Sequence, residues 1–201
     1  LEETKHGWWT EEPDGEDPPQ SRTLMCWYDK DGEKQSESLA NFLSSRVKTF
    51  ITCDTSYTST KDSDYKVATL MGYDQVSASL FVLDCWAGQT KESVLIARAF
   101  QMAQKWNCKS IHPEVVKQSF SLYATMQSIV QQRAVEMAGV ASLPRIVPLK
   151  VGQMDKTSKI NALGFRFEHG LIKLPLRRRY DKPWSMLFTQ LDEFNPDAPN
   201  G

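Results

Sequence analysis

Two acidic residues stand at the ends of stretches that read as β-strands. Asp54 closes the β-branched, apolar run KTFITCD, and Glu114 closes the strand in KSIHPEVV. If those strands are neighbours in one sheet, their carboxylates converge at one edge. Paired carboxylates are hard oxygen donors and attract Mg2+ or Mn2+. Two such ions can activate a water and stabilise the leaving oxygen of a phosphodiester. An acid at a strand end also serves as a loop cap, so spacing by itself leaves both uses open. Asp84, at the end of FVLDCW, is a third strand-end acid and reads as a loop or helix-cap contact. Asp64 reads as solvent-facing or as an organiser of the loop after Asp54.

Other chemistries find no support. There is no GxxxxGK phosphate loop and no GxSxG nucleophile elbow. His6, His112 and His169 are isolated, with no HExxH spacing. His112, two residues before Glu114, could sit near a metal, though a hydrogen-bonded structural histidine is the first reading. The cysteines Cys26, Cys53, Cys85 and Cys108 form no CxxC pair, and Cys53 and Cys85 sit in apolar runs. Buried free thiols are expected, not a disulfide framework or a zinc site.

A chain of 201 residues, 40% apolar and 24% charged, suits one globular domain or one domain with an arm. No apolar run approaches the roughly 20 residues that span a bilayer. The first 20 residues are acidic and proline-rich, unlike a signal peptide, so the expected location is cytoplasmic. Net charge is -1, but its distribution is uneven. Residues 1–34 carry ten acids against four bases, and residues 145–183 carry ten bases against three acids. The basic stretch fits either a polyanion-facing surface or a solvated face.

These residues need a scaffold. Residues 1–21 read as an extended arm that Trp8 and Trp9 anchor. TLMCWY reads as a short strand, DKDGEK as a turn and SLANFLSSRV as a weak helix. KTFITCD, YKVATLMGYD and SASLFVLDCWAG read as three strands of a meander. TKESVLIARAFQMAQKWN has the apolar stripe of an amphipathic helix. A short strand through Glu114, a helix over 117–138 and the β-type run PRIVPLKV follow. DKTSKINAL reads as a short helix, FRFEHGLIKLP as a β-hairpin turning at His169–Gly170, and KPWSMLFTQLDEF as a final helix. The order predicts an α/β fold with a mixed sheet.

The stretch FITCDTSYTSTKDSDYKVATLMGYD resembles the opening of the nuclease domain of tailed-phage large terminase subunits: a strand, an Asp, a small polar loop and an Asp-Tyr pair leading the next strand. Here those are Asp54, the loop from Thr55, and Asp64–Tyr65. FVLDCWAGQTKESVLIARAFQMAQKWNCKSIHPEVV is similar to the family's strand, helix and second acidic strand. KVGQMDKTSKINAL with FRFEHGLIKLP resembles its Asp-Lys segment and regulatory hairpin, and WSMLFTQLDEFNPDAPNG the segment before its third acidic motif.

The resemblance implies a ribonuclease H-like α/β fold, a mixed β-sheet flanked by helices with an added β-hairpin. It makes residues 46–201 the nuclease domain. Residues 1–45 become an acidic arm connecting to an ATPase domain of the same polypeptide. It implies an endodeoxyribonuclease dependent on Mg2+ or Mn2+ in a two-metal site, cutting concatemeric double-stranded viral DNA during packaging. Asp54 and Glu114 would be catalytic and hold the metals. The third acidic motif is expected after Gly201, and Asp197 lies before that position as a poor substitute. Lys156, Lys159, Arg166, Arg177, Arg178 and Arg179, around the expected hairpin, would neutralise DNA phosphates without reading bases. The implied partners are viral DNA, the portal and the small terminase subunit, in the host cytoplasm and without a membrane. Two other readings compete: a non-catalytic docking or DNA-binding module of the motor, using Trp8, Trp9 and the acidic arm, and another ribonuclease H-like enzyme such as a resolvase.

Overall fold

Alternation of apolar and polar residues builds β4 (Val47–Asp54): Val47, Ile51 and Cys53 are buried, while Lys48 and Asp54 face solvent. The computed structural model describes residues 7–14, 22–54, 65–115, 120–136, 143–150 and 156–193. The chain divides into two compact units. One comprises Leu1–Lys48, Gly72–Leu83 and Met154–Gly201, the other Thr49–Met71 and Asp84–Gln153. Strands β4, β5 (Lys66–Asp74) and β6 (Ser79–Gly88) contribute residues to both.

In the first unit, β1 (Trp8–Asp14), β2 (Arg22–Tyr28) and β3 (Lys34–Ser38) pair antiparallel. Strand β10 (Ile172–Pro175) runs parallel to both β1 and β6, giving the order β3-β2-β1-β10-β6. The segment expected to be an extended arm is therefore partly a strand. Trp9 explains why: its side chain is 3% exposed and its Nε1 donates to the Val82 carbonyl at 3.0 Å. Trp8 stacks on Phe188, with centroids 5.4 Å apart. Large aromatic area and a satisfied indole N–H outweigh the local prolines and acids. The β2–β3 turn is the predicted one. Asp29 Oδ1 accepts from the backbone N–H groups of Asp31 and Glu33, and Gly32 takes φ 82°.

Trp27, Phe42 and Phe81 meet in tilted and edge-to-face contacts at 4.9–5.7 Å and form the apolar centre of this unit. Phe42 comes from a helical turn, α1 (Leu39–Asn41), that continues as a π-helical turn through Arg46. Arg46 then brings two guanidinium nitrogens to one oxygen, Oδ2, of the fully buried Asp74, Nε at 3.0 Å and Nη2 at 2.9 Å. Burial pushes the Asp74 carboxyl up, but donation from Ser77, Val76 and Arg46 more than offsets it and leaves its pKa lowered.

The expected hairpin over FRFEHGLIKLP is not formed. Helix α4 runs from Lys156 to Glu168, and Gly170 ends it. Gly170 sits at φ 62° and donates to the Phe167 carbonyl, while Leu171 donates to the Arg166 carbonyl at 2.8 Å. This is a Schellman cap, which uses the same left-handed glycine as a hairpin turn. The alternating Phe165 and Phe167 imitate a strand. However, β10 finds its partners in β1 and β6, remote in sequence, so no second strand of a local hairpin is needed. The last helix, α5 (Trp184–Glu193), starts just after Pro183 as predicted.

In the second unit the strand order is β6-β5-β4-β7-β8, with β7 (Ser110–Val115) also pairing β9 (Leu149–Lys150). The three expected meander strands are thus neighbours. The run PRIVPLKV forms two short strands, β8 (Arg145–Ile146) and β9, interrupted at Pro148. Helix α2 (Glu92–Lys105) buries Leu95, Ile96, Ala99, Phe100, Met102 and Ala103. Helix α3 (Phe120–Glu136) adds Leu122 and Met126, both 0% exposed. All four cysteines are free, as expected. Among the described residues no helix is long and apolar enough to cross a membrane.

Candidate active site

The parallel pairing of β4 with β7 decides whether the two predicted acids can cooperate. Its register sets Ile51 against Ile111, Thr52 against His112 and Cys53 against Pro113. One residue further, the same register places Asp54 beside Glu114, with neighbouring strands about 4.8 Å apart. In parallel strands, residues in register point to the same face. Ile51, Cys53, Ile111 and Pro113 are buried and define the core face. Thr52, Asp54, His112 and Glu114 therefore share the other face. The sequence placed both acids at strand ends; the register makes them a pair.

Asp54 is exposed at the terminus of β4 and Glu114 is half-buried, with Leu149 of β9 as its partner on the far side. Below them, His112 Nε2 lies 2.9 Å from Ser110 Oγ, and its ring meets Phe50 edge-on at 5.7 Å. Burial pulls His112 below the ordinary imidazole range. It therefore acts as a neutral packing group anchored to the lower part of the strand, as its isolation in sequence suggested. Behind the site, burial and then the Asp54 charge push the Cys53 thiol up to about 12, leaving it an inert apolar filler.

The donor chemistry fits a hard divalent cation. Asp54 and Glu114 offer carboxylate oxygens, and the nearest histidine on that face is engaged with Ser110. Among the described residues there is no cluster of three His, Cys, Asp or Glu side chains. Asp64, Asp155 and Asp197 lie outside the described residues.

Asp84 has a different use. It is 7% exposed and accepts from Trp106 Nε1 at 2.8 Å and from Lys105 Nζ at 3.0 Å. It ties β6 to the C-terminal end of α2, a helix-end contact as read from sequence.

The predicted phosphate-binding residues are differently placed. Arg166 is exposed on α4, and Arg177 is exposed in the turn after β10. Arg178 lies over the Trp184 ring at 5.3 Å, and Arg179 over Trp8 and Phe188 at 5.8 and 5.9 Å. The side chains of Lys156 and Lys159 lie outside the described residues. Lys173 was counted with this basic stretch but is 2% exposed. Its Nζ donates to the Tyr28 and Gly170 carbonyls at 2.7 and 2.9 Å. Burial pulls its pKa down to about 8, against the pull of Asp29. A lysine flanked by Ile172 and Leu174 in an apolar strand was the available signal of an inward position.

No protein-family model and no curated protein matches the sequence. Among solved structures, the chain is similar to the human cytomegalovirus terminase nuclease domain. In a manganese-soaked, inhibitor-bound form the TM-score is 0.56 with 13% identity, over 77% of this chain and 79% of that one. In a second structure of that domain the TM-score is 0.57 with 11% identity, over 86% and 82%. At these identities the likeness is one of fold: an α/β, ribonuclease H-like mixed sheet flanked by helices.

Proposed function

We propose that this chain is a metal-dependent endonuclease domain of a viral DNA-packaging motor, hydrolysing double-stranded DNA at Asp54 and Glu114. The observation that carries the reading is the β4–β7 register, which sets the exposed Asp54 beside the half-buried Glu114 at the strand ends. The fold shared with terminase nuclease domains supports it. Bound Mg2+ or Mn2+ would supply the activated water and the stabilisation of the leaving oxygen. Asp54 and Glu114 would hold the cations. Exposure of Asp54 leaves room for a polymeric substrate. Arg166 and Arg177, with Lys156 and Lys159, would neutralise phosphates, and Arg178 and Arg179 would do so from positions oriented by aromatic rings. Residues 1–45 would lead from an ATPase domain of the same polypeptide, the portal and small terminase subunit would be further partners, and the host cytoplasm the place of action.

The test is nicking of supercoiled plasmid by the full-length protein with Mg2+, Mn2+ or EDTA. Cleavage with either metal is expected, falling at least a hundredfold in Asp54→Ala and Glu114→Ala. Full activity in Asp54→Ala would sink the proposal. Binding without cleavage under any metal would favour a docking module. Preference for branched over linear DNA would favour a resolvase.

A further inference from the structure

The turn that joins β10 to α5 carries the sequence Leu176-Arg-Arg-Arg-Tyr-Asp-Lys-Pro183. Between Arg177 and Lys182 it holds four bases and one acid. Tyr180 at its tip is 85% exposed, among the most exposed large side chains described.

The backbone on either side of Tyr180 is fixed by hydrogen bonds. Arg179 donates its backbone N–H to the Leu176 carbonyl and Asp181 to the Arg178 carbonyl, at 3.3 and 3.0 Å. Ser185 donates to the Asp181 carbonyl at 2.9 Å, joining the turn to the start of α5. On either side of the tip, the Arg178 and Arg179 guanidinium groups rest on the rings of Trp184, Trp8 and Phe188. The backbone of the turn is therefore braced, so that presenting Tyr180 needs no reordering of the main chain. Arg177 and Lys182 are exposed at its flanks.

We infer that this turn binds strand-separated nucleic acid, with Tyr180 stacking on an unpaired base and Arg177 and Lys182 taking the flanking phosphates. Charge complementarity selects a polyanion. The exposed ring selects unpaired bases, because bases within a duplex have their faces already covered. Every base has a π-face, so the contact is independent of sequence. The inference rests on the nuclease reading only for its setting, since binding here does not require Asp54 or Glu114.

The experiment is fluorescence anisotropy of the full-length protein with a labelled oligothymidylate and a duplex of equal length, in EDTA to prevent cleavage. Tyr180→Ala is expected to weaken the single strand about tenfold, the effect of removing one base–aromatic stack, and the duplex less than twofold. Tyr180→Trp should keep single-strand affinity, and Arg177→Ala should weaken both substrates and flatten the salt dependence. Unchanged single-strand binding in Tyr180→Ala overturns the inference. Equal losses on both substrates also overturn it. The nuclease proposal fails by a different result, metal-dependent cleavage surviving in Asp54→Ala.

Discussion

Asp54 stands beside Glu114 because β4 and β7 run parallel with Cys53 opposite Pro113, one residue before the two acids. Two carboxylates side by side on one face repel each other, and a cation between them relieves that repulsion. Like charges across neighbouring strands destabilise by roughly 0.2–1 kcal/mol. Asp54→Asn should therefore melt slightly above the wild type in EDTA. With millimolar Mn2+ the wild type should gain several degrees and the variant little, because a ligand bound only to the folded state raises Tm. Equal manganese shifts in the two proteins would place the cation elsewhere.

Asp84 is a structural acid, so its removal should cost stability. Asp84→Ala leaves Trp106 Nε1 without its acceptor and should lose about 2 kcal/mol in urea unfolding. Asp84→Asn, which keeps an oxygen for Trp106, should lose less than half of that. Lys105 is 64% exposed, so Lys105→Ala should cost under about 0.5 kcal/mol. A Lys105→Ala loss equal to that of Asp84→Ala would show that the ion pair, not the indole bond, holds α2 on β6.

Lys173 gives a pH dependence with a definite sign. Its pKa falls from the ordinary 10.5 to about 8 in the folded chain, chiefly through burial. Between those values the unfolded chain binds more protons than the folded one. Stability conferred at this site therefore rises as pH increases from about 8 to about 10.5, then levels off. Urea midpoints of wild type and Lys173→Met at pH 7.5, 9 and 10 should show the difference shifting in favour of the wild type with pH. A difference independent of pH would mean that Lys173 titrates normally.

Gly170 caps α4 at φ 62°, a conformation that costs a residue with a Cβ roughly 1–2 kcal/mol. Gly170→Ala should destabilise by about 1 kcal/mol and Gly170→Asn by less, since Asn tolerates that region. Thermal melts by circular dichroism distinguish the two; no loss in Gly170→Ala would remove the Schellman cap as the reason for the glycine.

Local chemistry made several elements legible in the linear chain. The β-branched run before Asp54, the buried stripe of α2, the Asp29 turn and Pro183 at the head of α5 each depend on residues within a few positions of one another. The same local view explains the failures. A left-handed glycine serves a hairpin and a helix cap equally well, so FRFEHGLIKLP was legible as a turn and not as the end of α4. Trp8 and Trp9 were visible as anchors, but their ring partners and the Val82 carbonyl are far off in sequence. Charge counting included Lys173 because it cannot see which way a side chain points.

By itself, the sequence determined that Asp54 and Glu114 would end strands, and it excluded a phosphate loop and a serine elbow. Only the tertiary structure decided that the two acids stand in register on neighbouring strands. Side-chain direction repeats every two residues, so a slip of one position between β4 and β7 would turn one carboxylate to the opposite face. That register is set by long-range burial of Ile51, Cys53, Ile111 and Pro113, which no stretch of the chain contains by itself.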